Sequence, residues 1–228
     1  VLSDVNLTVR PGEFVYLTGK VGTGKSSLLK TFYGELDVHT GTARVLDWDM
    51  ARLKRRRVPA LRKRLGIVFQ DFQLLNDRDV YANLDFVLKA TGWKKKKERA
   101  ARITEVLAQV GMADKAGQMP YQLSGGEQQC VCIARAILNR PDIILADEAT
   151  GNLDKESGRR AAAILYGICQ SGTTVVLSTH DEELIREFPG VVYRCESGCL
   201  REYTDDYGIR IPSDMESKSI EENITDNN

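Results

Sequence analysis

The chain has 228 residues, 42% hydrophobic and 28% charged, enough to bury one sizeable core or two small ones. Its 32 basic and 32 acidic residues cancel, which excludes a chain drawn as a whole to nucleic acid. No apolar run approaches the length of a membrane span and no leader pattern opens the chain, so a soluble, cytosolic protein is expected.

Val1 to Val9 reads as a strand, with apolar and polar residues alternating from Val5 onward, and Pro11-Gly12 turns it. The strand pattern is present from Val1 without a Met, so an upstream segment is expected. Glu13 to Thr18 is a second, β-prone run. It feeds Gly19-Lys20-Val21-Gly22-Thr23-Gly24-Lys25-Ser26-Ser27, which fits the phosphate-binding template G-x-x-x-x-G-K-[ST]. Helical residues follow, from Ser26 to Tyr33. Strand, loop and helix in that order are what the template needs, because glycines let successive N–H groups turn toward phosphate oxygens and the helix start aims positive charge at the same point. Lys25 then reaches the β- and γ-phosphates of a nucleotide, and the Ser26 hydroxyl sits on Mg²⁺. The competing reading is a Gly-rich turn that happens to hold Lys-Ser.

Thr40 to Leu46 reads as a further strand, and the early strands together suggest an antiparallel patch beside a main sheet. Residues 52–64 are crowded with bases. They read as a nucleic-acid or phospholipid patch, or as a solvated helix face, and the lack of interleaved aromatics favours the second. Leu65 to Phe69 is an apolar strand ending at Gln70. From Val80 to Gly111 the spacing of Leu84, Val87 and Leu88, and of Ile103, Val106, Leu107 and Val110, predicts two helices joined at the basic stretch Trp93 to Glu98. Ser124-Gly125-Gly126-Glu127-Gln128-Gln129 opens another helix, stopped by Pro141.

Asp142 to Asp147 is a continuous apolar run that suits the buried middle of a parallel sheet, and it ends in the acids Asp147 and Glu148. A helix over 155–170, a strand over 173–178 and a hairpin around Ser197-Gly198 complete the pattern. Beyond the hairpin the chain turns acidic and loses apolar periodicity. Residues 1–204 are read as the folded domain, and 205–228 as an acidic, disordered tail. The cysteines, Cys130, Cys132, Cys169, Cys195 and Cys199, are odd in number and fit no zinc template, so reduced and mostly buried thiols are expected.

Strands alternating with helices around a phosphate loop imply a parallel α/β sheet with its ligands at the carboxyl ends of the strands. Gln70, Asp147, Glu148 and His180 all fall at such ends. Asp147 is placed to hold Mg²⁺ directly or through water, and Glu148 to polarise an attacking water. His180 alone is weak evidence, since a lone histidine is more often structural. Its place after strand 173–178 lets it bond the γ-phosphate.

Leu123-Ser124-Gly125-Gly126-Glu127-Gln128-Gln129 resembles the signature sequence of the ATP-binding-cassette (ABC) ATPases. With the phosphate loop, Gln70, Asp147-Glu148, Asp154 and His180 in that order, the resemblance covers residues 1–204. It implies a P-loop NTPase fold: a mainly parallel sheet flanked by helices, an antiparallel β patch, and a helical subdomain at about 72–139. It also implies ATP hydrolysis with Mg²⁺ and a head-to-tail homodimer enclosing two ATP molecules. Gln70 is then the sensor of Mg²⁺, water and partner. Ser124, Gly125, Gly126 and Glu127 belong to the segment that grips ATP on the opposite subunit, and Asp154 links the two sites. Gly151-Asn152-Leu153-Asp154 and the stretch from Val68 to Leu84 narrow the match to the branch that serves cell division, lipoprotein release and macrolide export, and within it most to cell division. That branch implies an integral membrane partner, an FtsX-like permease, with the ATPase held through it at the inner face of the cell membrane and no specific nucleic acid bound. The alternatives are an export ATPase and a soluble, non-transport ABC ATPase. Lys20, Ser27, Ala149 and Cys130 depart from the family pattern, and the adenine-stacking aromatic has no match here.

Overall fold

A computed structural model describes residues 2–209. Strand β2 (Phe14–Thr18), which feeds the phosphate loop, is buried at every position. It lies inside a seven-stranded sheet of order β1-β9-β8-β2-β7-β6-β5. The others are β1 (Asp4–Val5), β5 (Leu65–Val68), β6 (Ile143–Asp147), β7 (Thr174–Ser178), β8 (Val191–Glu196) and β9 (Cys199–Glu202). β2, β5, β6, β7 and β8 run parallel, and only β9 opposes its neighbour β8.

Side chains alternate across a strand, so a strand buried on both sides needs an unbroken apolar run to serve two cores. In β2, Phe14 and Tyr16 enter one cluster while Val15 and Leu17 enter the other. The first cluster is closed by α3 (Val80–Ala90), α4 (Lys96–Gln109), α5 (Gly125–Ile137) and α6 (Lys155–Gln170), and the second by α1 (Lys25–Phe32) and α2 (Val58–Lys63). The predicted stripe of α3 and α4 holds: Leu84, Leu88, Ile103, Val106 and Leu107 are buried.

Three local expectations change. β1 is not part of an antiparallel patch. It joins the main sheet parallel to β9, pairing Asp4 with Cys199 and Val5 with Leu200, because the hairpin offers it an open edge. The antiparallel patch is only the ribbon of β3 (Arg44–Val45) and β4 (Trp48–Asp49). A short helix, α7 (Glu182–Glu187), follows β7, where the sequence shows too few turns for a periodicity; Asp181 caps it by accepting from the N–H groups of Glu183 and Leu184. At the other end, a 3-10 turn spans Thr204–Tyr207, and Tyr207 and Ile209 pack against the first core, so the chain stays docked past 204. The rest of the expected acidic tail lies outside the described residues.

The cysteines are unpaired; all are buried except the partly exposed Cys199. Among the described residues no helix is long and apolar enough to cross a membrane. Of the basic stretch 52–64, Lys54 to Arg57 are exposed, and Arg64 is tied to Asp47 and Asp142.

Candidate nucleotide site

The phosphate loop joins β2 to α1 through Gly24, whose φ of 104° is open to glycine and strained for other residues. That turn starts α1 at Lys25, which is only 4% exposed. Its ammonium donates to the carbonyls of Gly19 at 2.8 Å and Lys20 at 3.1 Å, and stands 3.6 Å from Glu148 Oε1. A buried cation needs such partners, and here they are the loop's own backbone and the proposed catalytic acid. Lys20, Val21 and Gly22 form the exposed tip of the loop. Thr23 braces that tip by donating from its hydroxyl to the Lys20 carbonyl at 2.8 Å.

Three strand ends converge on this loop. Ser26 Oγ donates to Asp147 Oδ1 at 3.0 Å, bringing the first turn of α1 to the end of β6. Gln70, just past β5, donates from Nε2 to Glu148 Oε2 at 3.1 Å. Lys25, Gln70 and Glu148 are thus linked side chain to side chain, as are Ser26 and Asp147, and the backbone joins the two sets where Asp147 meets Glu148. His180 is exposed and lines a cavity with Thr18, Gly19, Lys20 and Thr23. It also borders a second cavity with Thr150, Gly151, Leu153 and Asp154.

One residue of this arrangement was not singled out from sequence. Ser178, at the end of β7, is fully buried. Its hydroxyl donates to Asp147 Oδ1 at 2.8 Å and accepts from the Glu148 N–H at 2.8 Å. The only signal is a small hydroxyl closing an apolar strand. Its meaning comes from the register that pairs Asp147 with Ser178. The hard oxygens of Ser26 and Asp147, on two rigid elements, suit Mg²⁺.

The signature residues stand apart from this cluster. Ser124 caps α5 and is exposed with Gly125, and neither lines the cavity behind the phosphate loop. Ser124 and Glu127 form a reciprocal capping box, with Glu127 N–H donating to Ser124 Oγ at 3.2 Å and Ser124 N–H to Glu127 Oε2 at 2.8 Å. That backbone bond, helped by Lys115, holds the Glu127 carboxyl below its usual range. Gly126 is required by close approach, since a Cβ there would sit 2.5 Å from Ser157 Oγ on α6. Asp154 caps α6 by accepting from the Ser157 N–H at 3.0 Å. The structure therefore groups Ser124, Gly126 and Asp154 at the feet of two helices, and groups the phosphate-loop residues elsewhere.

Two departures from the family pattern lie buried. Cys130 is 1% exposed within the first core, and burial pushes its thiol up. Ala149 is buried beside Glu148.

The family described as ABC transporter matches residues 2–151. The chain is 41% identical over 199 residues to the "Cell division ATP-binding protein FtsE" of Bacillus subtilis, covering 87% of each protein. It is 44% identical over 184 residues to the protein of the same name from Escherichia coli, covering 81% of this chain and 82% of that one. Among solved structures it resembles the dimeric, post-hydrolysis ATP-binding cassette MJ0796 bound to ADP and Pi, at 33% identity with a TM-score of 0.79 over 89% of both chains. It also resembles cbiO1 from Clostridium perfringens, part of the ABC transporter complex cbiONQ, at 26% identity with a TM-score of 0.80, covering 88% of this chain and 80% of that one.

Proposed function

This chain belongs to the ABC transporter family, and from that premise we propose that it is the ATP-hydrolysing subunit of a cell-division complex of the FtsE type. It works as a homodimer at the inner face of the cell membrane, bound to an FtsX-like integral membrane permease. The names of the curated relatives and the dimeric solved cassette support this reading. The observation that supports the chemistry is the set of contacts around Asp147 and Glu148, where Lys25, Ser26 and Gln70 meet the two carboxylates at three strand ends.

In this reading the phosphate loop and Lys25 bind the triphosphate of ATP. Ser26, Asp147 and Gln70 hold Mg²⁺, which neutralises charge on the phosphates. Glu148 accepts a proton from the attacking water, and Gln70 orients that carboxylate. His180 donates to the γ-phosphate. Ser124 and Gly126 act on ATP held by the second copy, where the start of α5 presents free N–H groups to an anion. Asp154, at the foot of α6, links the two sites.

Purified protein should hydrolyse ATP with Mg²⁺. Glu148→Gln should bind ATP, lower kcat roughly 100-fold or more, and accumulate as an ATP-bound dimer. Turnover of Glu148→Gln at the wild-type rate removes Glu148 from the role of base. Co-purification of the permease in detergent tests the partner, and a chain that elutes alone with ATP present rejects it.

A further inference from the structure

Between β5 and α3 the chain passes through a loop that carries Gln70. The loop is held on both sides. On one side Gln70 reaches Glu148, and Asn152 Nδ2 lies 3.4 Å from the Gln70 carbonyl oxygen. On the other, two consecutive carbonyls point at one guanidinium. Arg135 of α5 donates from Nη2 to the Phe72 carbonyl at 2.9 Å and from Nη1 to the Gln73 carbonyl at 2.7 Å. Its guanidinium carbon stands 5.9 Å from the centre of the Phe69 ring. The Cys132 thiol donates to the same Phe72 carbonyl at 3.1 Å. Gln73 has a φ of 49°, a conformation that a side chain disfavours and that a local contact must hold in place.

A planar fork with several donors can satisfy two neighbouring carbonyls at once, which a lysine ammonium on a flexible stem does poorly. Arg135 lies about three turns along the helix that Ser124 caps. The Phe72 ring also reaches the foot of that helix, where a Cβ on Gly125 would stand 3.7 Å from Phe72 Cζ.

We propose that Arg135 is a positioning residue for ATP hydrolysis: by clamping the Phe72 and Gln73 carbonyls to α5, it keeps Gln70 within reach of Glu148 and ties that contact to the helix carrying Ser124 and Gly126. This deepens the ATPase reading above and rests on it. Arg135 touches neither the phosphate loop nor Ser26 and Asp147, and it reaches Gln70 only through the Phe72 and Gln73 carbonyls, so its loss acts mainly on turnover and leaves ATP capture by the phosphate loop in place.

A double-mutant cycle tests the link. Arg135→Ala should lower kcat at least about tenfold while the KM for ATP stays within about twofold, and Arg135→Lys should restore only a minor part. In a Gln70→Ala background the same change should cost less than about twofold, because the contact it serves is already gone. Losses that multiply in full, or a raised KM with unchanged kcat, overturn the proposal. If Arg135→Ala does not fold, Arg135→Lys carries the cycle. A second measurement needs no turnover: amide hydrogen exchange across 69–75 should quicken at least about tenfold in the variant while that of the phosphate loop stays put. Unchanged exchange across 69–75 overturns the proposal even in an inactive preparation, whereas exchange that quickens in the variant, beside a wild-type chain that hydrolyses no ATP, rejects the ATPase reading instead.

Discussion

Glu148 has a φ of 45°, in the left-handed region where an ordinary side chain is strained. Its N–H donates to Ser178 and its carbonyl accepts from the Gly151 N–H at 3.0 Å, so the backbone is gripped on both sides of the strained bond. Ser178→Ala removes one grip and leaves a buried N–H unpaired, which should cost about 1–3 kcal/mol in urea unfolding. It should also lower kcat, since the Asp147 carboxylate and the Glu148 backbone lose their common anchor. An unchanged kcat in steady-state assays would reduce Ser178 to a packing residue. The phosphate loop, Asp147 and Glu148 were legible as residues because their spacing and flanking runs carry the chemistry. Ser178 was not, because the pairing of β6 with β7 has no trace in a linear reading. His180 was placed correctly at its strand end, but only the folded chain puts it on the wall of the cavity beside Thr18 and Gly19.

Among the elements, α3 and α4 were readable from their apolar stripes and their joint from the basic stretch between them, while the contact that closes the joint was not. That joint is closed by a nearly buried pair, Arg99 Nε donating to Asp85 Oδ1 at 2.6 Å, with Lys89 2.7 Å from the other carboxylate oxygen. Burial alone would raise the Asp85 carboxyl, but the hydrogen bonds from Lys89 and Arg99 outweigh it and hold the group below its usual range. A carboxyl lowered on folding stabilises the protein above its unfolded pKa, and that stability disappears as pH falls through the lower, folded value. Wild-type stability should therefore decline, as pH falls below the ordinary aspartate range, by an amount that Asp85→Asn lacks, measured as urea midpoints in acid. Asp85→Ala should cost about 3 kcal/mol at pH 7, because it strands the Arg99 charge in the fold. A loss under about 0.5 kcal/mol would place Asp85 with ordinary surface substitutions. Short elements escaped the sequence for a related reason. β1, β3 and β4 have two residues each, too few for a period, and the edge or ribbon they join decides whether they are strands at all.

At the scale of the whole molecule, the chain separates the residues proposed to bind phosphate from those proposed to close over it. Lys25, Ser26, Asp147 and Glu148 gather at the ends of β2 and β6, while Ser124 and Gly125 are exposed at the foot of α5 and Gly126 packs against Ser157 beneath them. The motifs of both groups were visible in sequence, but their separation in space was carried by the family resemblance and not by spacing. That outward foot rests on α6, at the place where Gly126 and Ser157 leave no room for another carbon. Ser157 therefore works as a shim. Adding bulk there should tilt the surface proposed to meet a second copy, without touching the phosphate loop, Asp147 or Glu148 of the same chain. Ser157→Val should weaken ATP-driven pairing of the Glu148→Gln protein at least about tenfold in sedimentation, with ATP affinity of the single chain within about twofold. Normal pairing would show that the foot can shift freely. On this reading the thickness of one side chain, well away from the phosphate loop, governs how readily two copies of the chain can meet.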